Sequence, residues 1–97
     1  MYARVVTAPI KPGTMREGIS VYENSIVPAM KEQPGFLGTT FLVNEAGNRV
    51  ISISQWETEA DMQASEASGY LQAQIAKVAA FVTAPPTNAH YEVAIQA

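Results

Sequence analysis

The chain has 97 residues, 47% of them hydrophobic and 15% charged, with a net charge of −3, one histidine and no cysteine. These figures describe one domain over residues 1–97 and exclude disulfides, thiolate metal centres and the basic footprint of a nucleic-acid binder. A chain this short buries only about 60–65% of the surface its unfolded form exposes, and the composition leaves association with a partner subunit as the remaining means of adding stability.

The N-terminus has no basic region leading into a long apolar run, so it does not read as a signal peptide. The longest apolar stretch, Val78 to Val82, falls far short of the roughly 20 residues needed to cross a bilayer. A cytoplasmic protein without a membrane partner is the expectation.

Residues 2–10 are β-rich and run into Lys11-Pro-Gly13, which predicts a strand and a turn. Thr14-Met-Arg-Glu17 has the form of a capping box, and Met15, Ile19, Tyr22, Ile26 and Met30 then recur at helical spacing to about Gln33. Pro28 lies inside that helix and predicts a kink or loosening. Pro34-Gly35 stops it. Phe36 to Val43 and Val50 to Glu57 read as an antiparallel hairpin joined by the turn-forming segment 44–49. Thr58-Glu-Ala-Asp61 opens a short helix through about Glu66, and Ser68-Gly69 interrupts it. Leu71, Ile75, Val78 and Val82 then share a face, with Gln72, Gln74 and Lys77 off that stripe. Residues 83–88 read as a loop, and Tyr91, Val93 and Ile95 alternate with polar or small residues in a last strand.

The order β-α-β-β-α-β is the ferredoxin-like α+β pattern, a four-stranded antiparallel sheet with its helices on one face. In the third strand Ile51 and Ile53 alternate with Val50, Ser52, Ser54 and Trp56. In the second, Leu37, Thr39, Phe41 and Val43 alternate with Phe36, Gly38, Thr40 and Leu42. Both sheet faces therefore carry large apolar groups, and the face that the helices leave bare predicts a homodimer built sheet to sheet.

Gln33-Pro-Gly-Phe-Leu-Gly38, the hairpin and Ser52-Ile-Ser-Gln-Trp-Glu-Thr-Glu-Ala60 resemble the antibiotic biosynthesis monooxygenase family. The resemblance spans nearly the whole chain in element order and is sharpest in the P-G-F-x-G entry to the second strand and the Q-W-E-T-E start of the second helical region. It implies a dimeric α+β barrel with a pocket in each subunit between sheet and helices. It also implies, as in some members, oxidation of phenolic or quinone-like aromatics by O2 without flavin, metal or other cofactor. Such chemistry needs a flat apolar site that favours the deprotonated substrate and excludes bulk water.

The resemblance makes Trp56 a pocket residue, although a lone Trp at a strand end is also explained by core packing. Active polyketide-oxidising members carry an Asn four residues before this Trp and a Tyr six residues after it. Those positions are Ser52 and Met62 here, so Ser52 can hydrogen-bond a substrate while Met62 contributes only wall. Ser65 and Ile75 stand where haem-degrading members have a second Trp and the haem-ligating His, which speaks against haem degradation. His90 is the one side chain that titrates near neutrality and is the candidate base, though its parity with Glu92 and Gln96 also suits solvent or a subunit contact. Arg4 can pair with an anionic substrate or form a salt bridge, and Tyr22, Tyr70 and Phe41 are candidate walls as well as core residues. Glu57, Glu59, Asp61 and Glu66 read as a solvated face at a helix start rather than a cation site, and Lys11-Pro-Gly-Thr14 lacks the spacing of a phosphate loop.

Hydrophobicity alone would bury Ile51 and Ile53 under the helices. The resemblance implies the reverse, with the isoleucines meeting a second subunit and the serines flooring a pocket. Two functional expectations follow: a monooxygenase acting on a small apolar aromatic, or a non-catalytic dimer that binds a small ligand or a protein partner. A barrel-type isomerase is a third.

Overall fold

The computed structural model describes residues 1–97. Strand β1 (Tyr2–Pro9) leads to helix α1 (Met15–Val21), a π-helical turn (Tyr22–Ile26) and α2 (Val27–Lys31). The hairpin β2 (Phe36–Asn44) and β3 (Arg49–Trp56) follows, then α3 (Glu59–Ala67), α4 (Tyr70–Val78) and β4 (Thr87–Glu92). All pairings are antiparallel and the strand order is β2-β3-β1-β4, the ferredoxin-like arrangement. No helix is long and apolar enough to cross a membrane.

The first helical segment loosens one turn before Pro28, where the Val27 N–H reaches back to the Tyr22 carbonyl. Proline offers no N–H to the next helical bond, and a single wide turn absorbs that loss while keeping Tyr22, Ile26 and Met30 buried on one side. The Thr14 capping box does not form. Its hydroxyl donates backwards to the Lys11 carbonyl at 2.7 Å, closing the preceding turn instead of the helix. Thr58 does cap, its Oγ1 accepting from the Asp61 N–H at 3.0 Å. The break between α3 and α4 falls at Gly69, whose φ of 86° is left-handed.

Two strand expectations need correction. An extra residue, Leu37, bulges from β2, so Phe36 pairs with Trp56 and Gly38 with Gln55. The bulge brings Phe36 onto the same face as Thr39, Phe41 and Val43, where its ring meets Trp56 edge-on with centroids 5.7 Å apart. β4 occupies Thr87–Glu92, earlier in the chain than the alternation at Tyr91–Ile95 suggests. Its partner β1 ends at Tyr2 opposite Glu92, and one further bond joins the Val93 N–H to the Met1 carbonyl. Beyond that Ile95 is unpaired and 87% exposed.

The register places Ser52, Ser54 and Trp56 on the helix side, together with Arg4 and Val6, and turns Ile51 and Ile53 to the opposite face. The core joins Tyr22, Ile26 and Met30 to Trp56, Met62 and Leu71.

Candidate functional site

Two serines where bulkier strand residues would pack leave space between the sheet and the helices. A cavity of about 90 Å³, partly open to solvent, occupies it. That is several times the roughly 10–15 Å³ a single water requires. Val6 and Phe41 of the sheet, Ile26 of the π turn and Ile75 of α4 give it mainly apolar walls. A β-bridge between Ile10 and Val82, with the Lys11 N–H bonded to the Phe81 carbonyl at 2.7 Å, ties the loop after α4 against the end of β1. Phe81 and Val82 thereby wall one end of the cavity.

Besides Ser54 and Gln74, its polar lining includes two hydrogen-bonded groups. Tyr22 stacks on Phe41 with centroids 4.0 Å apart, and its hydroxyl lies 2.5 Å from Thr39 Oγ1 and 2.7 Å from Ser52 Oγ. The π turn positions the Tyr22 ring from one side, and adjacent strands supply the two hydroxyls from the other. The second group is Arg4, 1% exposed, whose guanidinium carbon sits 5.0 Å from the Trp56 ring centroid. Its Nη1 donates to Ser65 Oγ at 2.8 Å, to the Met62 carbonyl at 3.3 Å and to Glu66 Oε2 at 3.4 Å. Burial pushes the Arg4 pKa down, and the Glu66 carboxylate pulls the other way.

Glu66 is not part of a solvated face. It holds Arg4, takes His90 Nε2 at 2.6 Å and accepts from Asn88 Nδ2 at 2.7 Å. Arg4 and His90 are register partners on neighbouring strands, which puts His90 on the helix side of the sheet against α3, with its side chain 38% exposed.

Arg4, Tyr22, Phe41 and Ser52 line the cavity together. Trp56, Met62, Tyr70 and His90 do not. Trp56 is 0% exposed and stands behind Ser54, donating from Nε1 to Ser54 Oγ at 3.0 Å. Met62 is buried beneath α3 and offers its carbonyl to Arg4. Tyr70 is buried with an unpartnered hydroxyl, and desolvation pushes its pKa to about 12 against the opposing pull of Arg4. Gln74, placed off the apolar stripe by its spacing, is buried and lines the cavity, because α4 buries Tyr70, Leu71 and Gln74 on its inner face. Thr39 and Glu66 escaped sequence reasoning too. Only their cross-strand and cross-element partners reveal them, and those are not local in the chain.

A sequence profile described as antibiotic biosynthesis monooxygenase matches residues 1–77. An uncharacterised protein of Mycobacterium tuberculosis is 35% identical over 65 residues, 67% of this chain and 28% of its own length. The tetracenomycin-F1 monooxygenase of Streptomyces glaucescens is 31% identical over 65 residues, again 67% of this chain and 55% of its own length. The chain thus spans between about a quarter and about half of these relatives. Among solved structures, a Streptomyces coelicolor monooxygenase in complex with nanaomycin D superposes with a TM-score of 0.77 at 22% identity, over 99% of this chain and 91% of that one. The Mycobacterium tuberculosis haem degrader with two haems bound gives a TM-score of 0.80 at 19% identity, over 100% of this chain and 99% of that one. SnoaB from Streptomyces nogalater, a cofactor-independent oxygenase, gives 0.78 at 17% identity, over 98% and 94%. With the fold and the profile match in agreement, the chain belongs to the antibiotic biosynthesis monooxygenase family.

Proposed function

We propose that this chain is a cofactor-independent monooxygenase that oxidises a small phenolic or quinol-type aromatic with O2 in the cavity between sheet and helices. The observation that carries the reading is a mainly apolar cavity whose wall holds one buried guanidinium, Arg4, and a hydroxyl cluster at Tyr22 and Ser52. The cation favours the phenolate over the phenol, the hydroxyls bond its oxygen, and the Tyr22–Phe41 stack offers a flat wall. The phenolate passes one electron to O2, and the resulting radical pair combines to form a carbon–oxygen bond. Loss of water from the hydroperoxide leaves a quinone, so one oxygen atom ends in the product and the other in water. The cavity volume accommodates about one ring, and the further rings of a larger ligand reach through the open side.

Arg4, Ser52, Tyr22 and Phe41 contact substrate in this reading, while Trp56, Met62 and Tyr70 support them from behind. His90 acts on Arg4 through Glu66 rather than on substrate. Haem degradation gains no support, since the one histidine stands outside the cavity and Ile75 lines it. The bare sheet face carries Val5, Ile51 and Ile53 with the exposed Leu42 and Tyr91, and is assigned to a second copy of this chain. Sedimentation at twice the chain mass supports the dimer, and a monomer at micromolar concentration overturns it.

The test of function is O2 uptake with a panel of phenols, naphthols, anthrones and quinols. Protein-dependent uptake equimolar with product, lowered in Tyr22→Phe, is the expected result. Absence of uptake with every compound overturns the oxygenase, ligand binding without uptake leaves a non-catalytic binding dimer, and turnover without O2 indicates an isomerase.

A further inference from the structure

Gly18 sits inside the first helical segment, which runs without interruption from Met15 to Lys31. Its N–H bonds the Thr14 carbonyl at 3.0 Å, and its backbone is not left-handed, unlike that of Gly13, Gly35 and Gly69. A glycine within a helix destabilises it relative to alanine, so its presence needs a reason. Conformation supplies none, and neither does close packing, because a Cβ at this position would meet no atom within 4 Å. The helical spacing shows where that Cβ would point. Arg16, Glu17 and Ser20 are exposed, whereas Met15 and Tyr22, three residues before Gly18 and four after it, are buried and line the cavity. Gly18 lies between them on the same stripe, lines the cavity and is half-buried. The side chain it lacks is therefore missing from the cavity wall, at a place where α1 still reaches solvent.

We propose that Gly18 is a specificity-determining residue, a gap in the α1 wall through which a ligand seated at Tyr22 and Ser52 extends out of the cavity. Residue 18 then sets the largest ligand the cavity takes. This rests on the reading of the cavity as an aromatic site and adds to it the place at which a ligand larger than the enclosed volume leaves it. A single ring fits within about 90 Å³ and does not reach the gap, while a second or third ring passes over Gly18 with its face against the bare helix backbone. A side chain at this position closes the gap, and a clash of that kind discriminates by about tenfold or more between ligands that cross it and ligands that do not.

The test is calorimetric titration under nitrogen of phenol, 2-naphthol and anthrone against wild type, Gly18→Ala and Gly18→Leu. Gly18→Leu is expected to weaken anthrone and 2-naphthol by about tenfold or more and to change phenol by less than about threefold. Gly18→Ala is expected to raise the thermal unfolding midpoint by several degrees and to weaken anthrone more than phenol. Should Gly18→Leu fail to fold, Gly18→Ala decides by its anthrone-to-phenol ratio. Equal effects on all three ligands, or none, overturn the assignment, because the position then faces solvent or the ligand leaves elsewhere. Wild type that takes phenol and neither larger ligand likewise overturns it. Failure of wild type to bind any of the three overturns the aromatic-cavity reading with it. Size-dependent loss of binding without O2 uptake in air sinks the oxygenase alone, and uptake with size-independent binding sinks only the role of Gly18.

Discussion

Arg4 and Trp56 form one buried unit, the guanidinium carbon 5.0 Å from the ring centroid, at residues that are 1% and 0% exposed. The charge is tolerated there because Ser65, the Met62 carbonyl and Glu66 take hydrogen bonds from one edge of the guanidinium while the indole covers its neighbourhood. The cavity therefore receives a cation whose position is set by three elements of the fold, β1, β3 and α3.

Removing Glu66 leaves that cation without its counter-ion. Glu66→Ala is expected to cost about 1–3 kcal/mol in urea unfolding, between the values of an exposed pair and a fully buried one, since the carboxylate is partly exposed. The double variant Arg4→Met/Glu66→Ala is expected to lose less than the sum of the two single changes.

Trp56→Ala and Tyr22→Phe are expected to fail differently. Trp56 is fully enclosed, so its truncation costs about 3–5 kcal/mol and any loss of activity follows from loss of fold, which thermal unfolding will show. Tyr22→Phe removes only the hydroxyl between Thr39 and Ser52, costs about 1 kcal/mol, and lowers the turnover number for O2 uptake roughly tenfold or more with the fold intact.

Tyr70 carries a pH signature. Its folded-state pKa is raised from 10.0 to about 12, so between these values the unfolded chain releases a proton that the folded protein keeps. The unfolded state binds fewer protons there, and stability falls as pH rises, by roughly 1.4 kcal/mol per pH unit at the steepest. Below pH 10 this contribution is fully present. Urea unfolding across that range should show the decline in wild type and a shallower one in Tyr70→Phe. At neutral pH the variant should be as stable as wild type or slightly more so, because the hydroxyl it removes has no partner.

Gly35 joins the first helical segment to β2 with φ at 77°, and its carbonyl accepts from the Glu57 N–H at 2.8 Å. A Cβ there would run into the Asp61 side chain. Gly35→Ala is expected to cost more than about 1 kcal/mol in thermal or urea unfolding, from left-handed strain plus displacement of Asp61.

The element order, the break at Ser68-Gly69 and the Thr58 cap were legible because each is written within a few adjacent residues. The period of the third strand was legible as well, and the resemblance to the family supplied the direction in which its serines face. Local pattern misled where a single residue changes parity or partner. The Leu37 bulge moved Phe36 to the Trp56 side, β4 paired with β1 over Thr87–Glu92 and not over the Tyr91–Ile95 alternation, and Thr14 closed a turn rather than capping a helix.

By itself the sequence determined the fold class and the family, because strand alternation, helical spacing and the P-G-F and Q-W-E motifs are properties of neighbouring residues. Only the tertiary structure decided which side chains share the cavity. Arg4 and Glu66 are 62 residues apart, and Tyr22 and Ser52 are 30 apart. Buried contacts of this kind leave no period in the chain.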